Sequence, residues 1–318
     1  MDADLQGMRA FVVASEELHF TRAAERLFLS QQALSKRIRR LEDALSVTLF
    51  ERTTRRVVLT ASGRRLLPLV KEAVDAFDNA VQTAKDTGGR LLIDIHDERF
   101  TPLRIVRAVS EREPGLQIEA SMRQAFPVAV RAVRGREIDA GFGRVHDLGQ
   151  PWPSTLQHRL VHLEPIHVYV PLTHRLADRP VLKPHDLRGA GVAMPDPGEA
   201  SEWRGYLARF ARYFGIPLHY NEPALGIEHL IEQIHRERHA VALGEAGIRL
   251  AGDSGLRRIP LTGPEVPYPW SIVWDRRNTS ANLGRLLALM PAPTLPAQND
   301  QRTWIPDVDR RHPSNQSG

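Results

Sequence analysis

The chain of 318 residues contains no cysteine, which removes disulfides, thiolate metal sites and cysteine nucleophiles from consideration and fits a reducing compartment. It has no uninterrupted apolar run near the roughly 18 to 20 residues that a membrane-spanning helix requires. Residues 1–9 hold two acids and no apolar signal core, so the chain is expected to be cytoplasmic with no membrane partner. No Walker-type phosphate loop occurs, and Gly141-Phe142-Gly143 lacks the third glycine of a dinucleotide fingerprint. Neither a cofactor nor a metal is expected.

What is present is ordinary globular material, 42% hydrophobic and 25% charged, in a chain too long for a single core of roughly 100 to 150 residues. The net charge of +5 is modest, and its distribution carries more information than its size. Residues 1–65 hold twelve Arg or Lys against eight Asp or Glu, and between Lys36 and Arg65 the ratio is nine to three. Taken alone, such a run is more often a solvated charged face than a surface for phosphates, so its context must decide.

Helical spacing organises that context. Leu5, Met8, Phe11 and Val12 form one apolar stripe, and Ala23, Ala24 and Leu27 form a second behind Thr21, a candidate N-cap. Ser30 is placed to cap a third helix, on which Leu34, Ile38, Leu41 and Leu45 point to a core. Its other face collects Gln31, Gln32, Ser35, Lys36 and Arg39, with Arg37 and Arg40 on the flanks. Glutamine pairs bidentately with adenine and arginine with guanine, so this face is chemically suited to a major groove. Residues 49–60 then read as a hairpin with a polar tip at Thr53, Thr54, Arg55 and Arg56, a wing whose arginines suit the DNA backbone or minor groove. With Thr21, these residues are the DNA-contacting candidates. A small helical domain with a basic surface would explain the periodicity, but not the gathering of amides, hydroxyls and cations on one exposed face.

The run from Phe20 through Thr21, Arg22, Ala23, Ala24, Glu25 and Arg26 to Leu27 resembles the signature of LysR-type transcriptional regulators. So do Ser30-Gln31, Ala33-Leu34-Ser35, Ile38, Leu41-Glu42, Leu49-Phe50, Arg52, Leu59-Thr60 and Gly63. Two positions depart from that pattern: Gln32 stands where proline is usual, adding an amide at the start of the recognition helix, and Ser46 where glycine is usual. The resemblance implies a winged helix-turn-helix over residues 1–60 and a dimerising linker helix over 61–89. Leu66, Leu69 or Val70, Ala73, Phe77, Ala80 or Val81 and Ala84 recur there at near-heptad spacing, with Pro68 a source of local distortion and Thr87 to Gly89 as the stop.

Beyond Arg90 the pattern is α/β: strands at 91–95, 116–120, 138–142, 164–172, 191–194 and 240–243, and helices at 101–112, 126–134, 201–214 and 227–236. Glu113-Pro114-Gly115, Ile138-Asp139-Ala140, Glu164-Pro165 and residues 239–244 resemble the LysR effector domain, itself similar to type 2 periplasmic binding proteins. That implies two lobes over residues 90–293, with the chain crossing back near 261–274, and a small-molecule effector in the cleft. Helix starts suit ligand binding, and Thr101, Gln124, Arg144 and Ser201 are the effector-site candidates by position. His96, Asp97, Glu98 and Arg99 crowd the first loop and leave the polarity of the ligand open. Residues 294–318 read as a disordered tail.

Two further motifs are weaker. Gly252-Asp253-Ser254-Gly255 resembles a protease nucleophile loop but lacks partner His and Asp segments, and Glu232, His235 and His239 share a face only if their helix runs that far. The expectation is therefore a regulator, not an enzyme, that binds double-stranded DNA as a homodimer or homotetramer, with RNA polymerase a further candidate partner. The alternatives are a DNA-binding oligomer that senses nothing, and a bilobal solute-binding protein or enzyme.

Overall fold

A computed structural model describes residues 4–310 except 28, 53–56, 86–88, 199–200, 225, 238, 249–253 and 298–299. The chain divides into two units, residues 1–88 and 89–318.

The first unit is built from α1 (Leu5–Glu17), α2 (Phe20–Arg26), α3 (Gln31–Leu45), β1 (Phe50–Arg52), β2 (Val57–Leu59) and α4 (Ala61–Lys85). The Ser30 hydroxyl oxygen accepts the Ala33 N–H at 3.2 Å and caps α3. The cap of α2 is His19 instead of Thr21: its Nδ1 accepts from the Arg22 N–H at 3.4 Å, and Thr21 lies exposed inside the helix. The helix starts earlier because Phe20 is already committed to the core, its ring edge-on to Phe50 at 5.5 Å. α3 ends at Ser46 with φ 53°, the left-handed conformation for which glycine is the usual choice. Leu34, Ile38 and Leu41 are buried with Phe11, Ala14 and Ala23.

The Glu42 carboxylate accepts the N–H groups of Leu49 and Phe50 at 2.7 and 3.2 Å, tying α3 to the antiparallel hairpin in which Phe50 pairs with Leu59. Thr60 supplies the next junction, its hydroxyl accepting from Gly63 and donating to the Thr48 carbonyl. A side chain at Gly63 would meet the Leu49 carbonyl oxygen at 2.3 Å, so this helix start can approach the strand only with glycine there. Along α4, Val70 and Val74 pack into the core, whereas Leu69 and Phe77 are 61% and 49% exposed.

The second unit runs β3 (Leu91–Asp94), α5 (Thr101–Arg112), β4 (Ile118–Ser121), α6 (Phe126–Arg134), β5 (Ala140–Gly143), β6 (Leu156–Pro171), a 3-10 turn (Pro184–Leu187), β7 (Val192–Pro195), α7 (Glu202–Phe214), β8 (Leu218–Asn221), α8 (Gly226–Arg236), β9 (Ala242–Glu245), β10 (Leu256–Pro260), β11 (Pro267–Asp275), α9 (Ala281–Leu289) and α10 (Asp307–Arg310). Parallel β4, β3 and β5 make one lobe of the sheet, and β9 and β10 flank β6 in the other. β6 and β11 pair antiparallel along their length, so both cross from one lobe to the other. The strand expected at 164–172 is the second half of a 16-residue strand. Its first half, with charged and polar Gln157, His158, Arg159 and His162, gives no apolar alternation to announce it.

The disordered-tail expectation fails for its middle part. Trp304 and Ile305 are buried, and the Trp304 ring meets Tyr206, Phe210 and Phe214 at 5.6 to 5.8 Å. Asp309 is buried against Arg144. The composition is polar, but two large apolar side chains and one buried ion pair suffice to hold the segment down. Residues 311–318 lie outside the described residues.

Candidate nucleic-acid interface and ligand cavity

α3 presents its polar face to solvent. Gln31, Gln32, Lys36, Arg39 and Arg40 are exposed and Ser35 is half-buried, while Leu34, Ile38 and Leu41 face inward. Arg37, also half-buried, leans toward α1 and donates to the Gln6 side chain at 3.2 Å. The wing strands β1 and β2 follow, but Arg55 and Arg56 at its tip lie outside the described residues. A rigid helix with its apolar side anchored leaves amides and cations free to meet base edges and phosphates.

The second unit encloses a cavity of about 430 Å³. His96 and Phe100 come from the loop after β3, Gln124 from the approach to α6, and Ser201, Glu202 and Trp203 from the start of α7. Glu245 stands at the end of β9, with Tyr268 and Trp270 on β11. Of the four effector-site candidates, Gln124 and Ser201 line this space. Gln124 has φ 57°, its N–H donating to the His96 carbonyl, and the Ser201 hydroxyl makes no capping bond to α7.

Thr101 and Arg144 are not on the cavity wall. The Thr101 hydroxyl lies 2.5 Å from a Glu164 oxygen and 3.2 Å from Glu245, and its N–H donates to Glu245 at 3.3 Å. Arg144, 1% exposed, is committed to Asp309 at 2.9 Å and Asp147 at 2.8 Å and donates to the Glu202 carbonyl. Burial opposes its charge, yet Asp309 and Asp147 hold it above the ordinary arginine range. It supports the backbone behind the cavity and is occupied there.

The electrostatics of the wall come from burial. Desolvation, reinforced by the charge of Glu164, pushes Glu245 up to about 8 although Thr101 and Trp270 donate to it. Desolvation likewise pushes Glu202 up to about 7 against the opposing charge of Arg144. Glu164 goes the other way: burial disfavours its charge, but His162, Thr101 and Arg104 outweigh it and hold its carboxyl below the usual range. Burial lowers His96. The weaker motifs do not assemble: α8 ends at Arg236 with His239 beyond it, no metal-holding cluster occurs among the described residues, and Gly252 and Asp253 lie outside them. Gly141 to Gly143 is part of β5.

Residues 5–64 match the bacterial regulatory helix-turn-helix protein, lysR family, and residues 100–292 match the LysR substrate binding domain. The chain belongs to the LysR family. This LysR-family chain is 31% identical over 303 residues to the HTH-type transcriptional regulator IlvR of Caulobacter vibrioides, covering 90% of itself and 97% of that protein. It shares its fold with a full-length OxyR variant from Pseudomonas aeruginosa at a TM-score of 0.55 and 17% identity, covering 92% and 99% of the two chains. A full-length CbnR complexed with its target DNA has a TM-score of 0.52 at 16% identity, covering 90% and 98%. The chain is a DNA-binding transcriptional regulator with a substrate-binding domain, and its relatives are named as regulators, not enzymes. No helix among the described residues is long and apolar enough to cross a membrane.

Sequence reasoning misses most of the cavity wall. Glu202, Trp203, Glu245, Tyr268 and Trp270 are not among its candidates, and His96 enters only as a residue in a crowded loop. The one available signal is Glu245 directly after the buried strand residues Ala242, Leu243 and Gly244, an acid where an apolar run stops.

Proposed function

We propose that this regulator reads DNA with the exposed face of α3, through Gln31, Gln32, Ser35, Lys36 and Arg39, with Thr21, Arg37 and the wing residues Arg55 and Arg56 supporting it. A second copy pairs along α4, and a small-molecule effector fills the cavity to shift the oligomer between DNA-bound arrangements. The observation that carries the reading is the segregation on α3: apolar side chains buried, and amides and cations exposed on the opposite face. For α4, the supporting observation is the exposure of Leu69 and Phe77 on a 25-residue helix.

The experiment selects a specific duplex from a random library with the full chain and titrates it by gel shift. Arg39→Ala and Gln31→Ala each weaken that complex by roughly 1 to 3 kcal/mol while leaving non-specific binding nearly intact. Unchanged affinity in both removes the assignment of this face. A chain that forms a dimer whose DNA complex no metabolite alters would favour an oligomeric DNA-binding protein without a ligand.

A further inference from the structure

Helix starts reach the cavity from α5, α6 and α7, and a helix start favours an anion. At two of them the protein's own carboxyl group already takes that place. Glu245 accepts the N–H and the hydroxyl of Thr101, the first residue of α5, and Glu202 is itself the first residue of α7. Both glutamates are on the cavity wall, both are 4% exposed, and both act electrostatically on the Tyr268 hydroxyl. No arginine or lysine stands among the described lining residues. An anionic ligand would thus meet no arginine or lysine on the described wall, and two helix starts that the protein's own carboxyl groups already occupy.

One side of the remaining wall is a run of aromatic rings, and the rest is largely apolar, with Met194, Leu230, Leu243 and Ile248. Trp203 and Trp270 each lie 5.3 Å from Tyr268, and Phe100 and His96 meet Trp270 at 6.2 and 6.0 Å. Aromatic faces attract cations, most strongly where water is excluded. Burial lowers His96 although Asp94 and Asp97 oppose it, and its Nδ1 has no hydrogen-bond partner among the described residues.

We propose that the effector is an organic cation, an amine or quaternary ammonium on a flat apolar body, with its charge beside the Glu245 and Glu202 carboxyl groups and its body against Trp203, Tyr268 and Trp270. This rests on the reading of the cavity as the effector site and gives that site a ligand class. Burial favours the protonated form of both acids, pushing Glu245 up to about 8 and Glu202 up to about 7. Glu164 of β6, Thr101 of α5 and Trp270 of β11 face Glu245, while Arg144, directly after β5, and Tyr268 of β11 face Glu202. A bound cation favours the carboxylates, so a proton passes from the carboxyl group to the buffer on binding, and affinity rises with pH.

The test uses three probes on one ring system, tryptamine, tryptophol and indole-3-acetate, against the full chain by saturation-transfer NMR and calorimetry in buffers of different ionisation enthalpy. Tryptamine binds about tenfold or more tighter than indole-3-acetate, and its affinity rises severalfold from about pH 6.5 to about pH 8.5 with net proton release. Glu245→Gln and, separately, Glu202→Gln lower the ratio of tryptamine to tryptophol affinity and reduce the proton release. Tighter binding of indole-3-acetate or tryptophol, or a preference that survives in both variants, overturns the cationic class and leaves the effector cavity standing. Failure of all three probes to bind overturns the class and the effector cavity together.

Discussion

The two units place their charged groups in opposite ways. In residues 1–88 the principal reading groups, Gln31, Gln32, Lys36 and Arg39, stand exposed on one face of α3, whose buried side chains Leu34, Ile38 and Leu41 are apolar. In residues 89–318 the chemically distinctive groups are inside: Arg144, Glu202, Glu245 and Asp309 are each 5% exposed or less. An exposed cation waits for a partner that brings its own charge, whereas a buried ion must be satisfied by the fold or lose its charge. One unit is therefore a surface for a polyanion and the other an enclosure with fixed internal electrostatics. Side-chain removal should cost binding in the first and folding in the second.

The largest effect expected from that contrast is at Arg144. Arg144→Ala strands Asp309 and releases the segment around Trp304, and breaking such a buried pair costs about 3 to 5 kcal/mol, read by denaturant unfolding of the full chain. A loss no greater than that of an exposed arginine such as Arg39 would erase the contrast.

Next comes pH. Glu245 and Glu202 have folded values of about 8 and about 7, above the ordinary 4.5, so their stabilising contribution is complete below pH 4.5 and is lost as pH rises through 7 and 8. Within that window each proton held only by the folded state lowers stability by up to about 1.4 kcal/mol per pH unit. Asp147 acts with the opposite sign: burial would raise it, but Arg209 and Arg144 hold it at about 2, so its contribution is present above 3.8 and lost as pH falls through 2. Calorimetric melting of the full chain between about pH 5 and 9 should show the decline, and Glu245→Gln should flatten it. A melting temperature that rises over this range contradicts the burial argument.

Smaller is Ser30→Ala, which removes the α3 cap and costs about 1 kcal/mol of stability without touching the exposed face. An equal loss in Arg39→Ala would mean that Arg39 holds the fold, contrary to its exposure.

The same contrast explains which parts of the molecule are legible in the amino-acid sequence. α3 is one continuous segment, so the inward Leu34, Ile38 and Leu41 and the outward Gln31, Lys36 and Arg39 are visible from spacing alone. The dimensions of α5 and α6 are equally legible, because their apolar residues recur at helical intervals between turn residues. The cavity joins His96, Gln124, Ser201, Glu245 and Trp270 from distant segments, and no local pattern joins them. Position along the chain puts Arg144 and Thr101 in the cleft, but the buried carboxylates that claim them come from the far tail, from β6 and from β9. The docking of the tail is hidden for the same reason: Trp304 and Asp309 have partners about a hundred or more residues away in sequence.

Because the chain has no cysteine, a thiol installed on α3 reports without interference. The most direct measurement is the rate of maleimide modification of Gln32→Cys with and without the selected duplex, with Tyr213→Cys, exposed in the other unit, as the control. If α3 is the reading helix, saturating duplex slows the reaction at position 32 by about tenfold or more and leaves position 213 unchanged. Equal rates at position 32 with and without bound DNA would show that this face of α3 does not enter the groove.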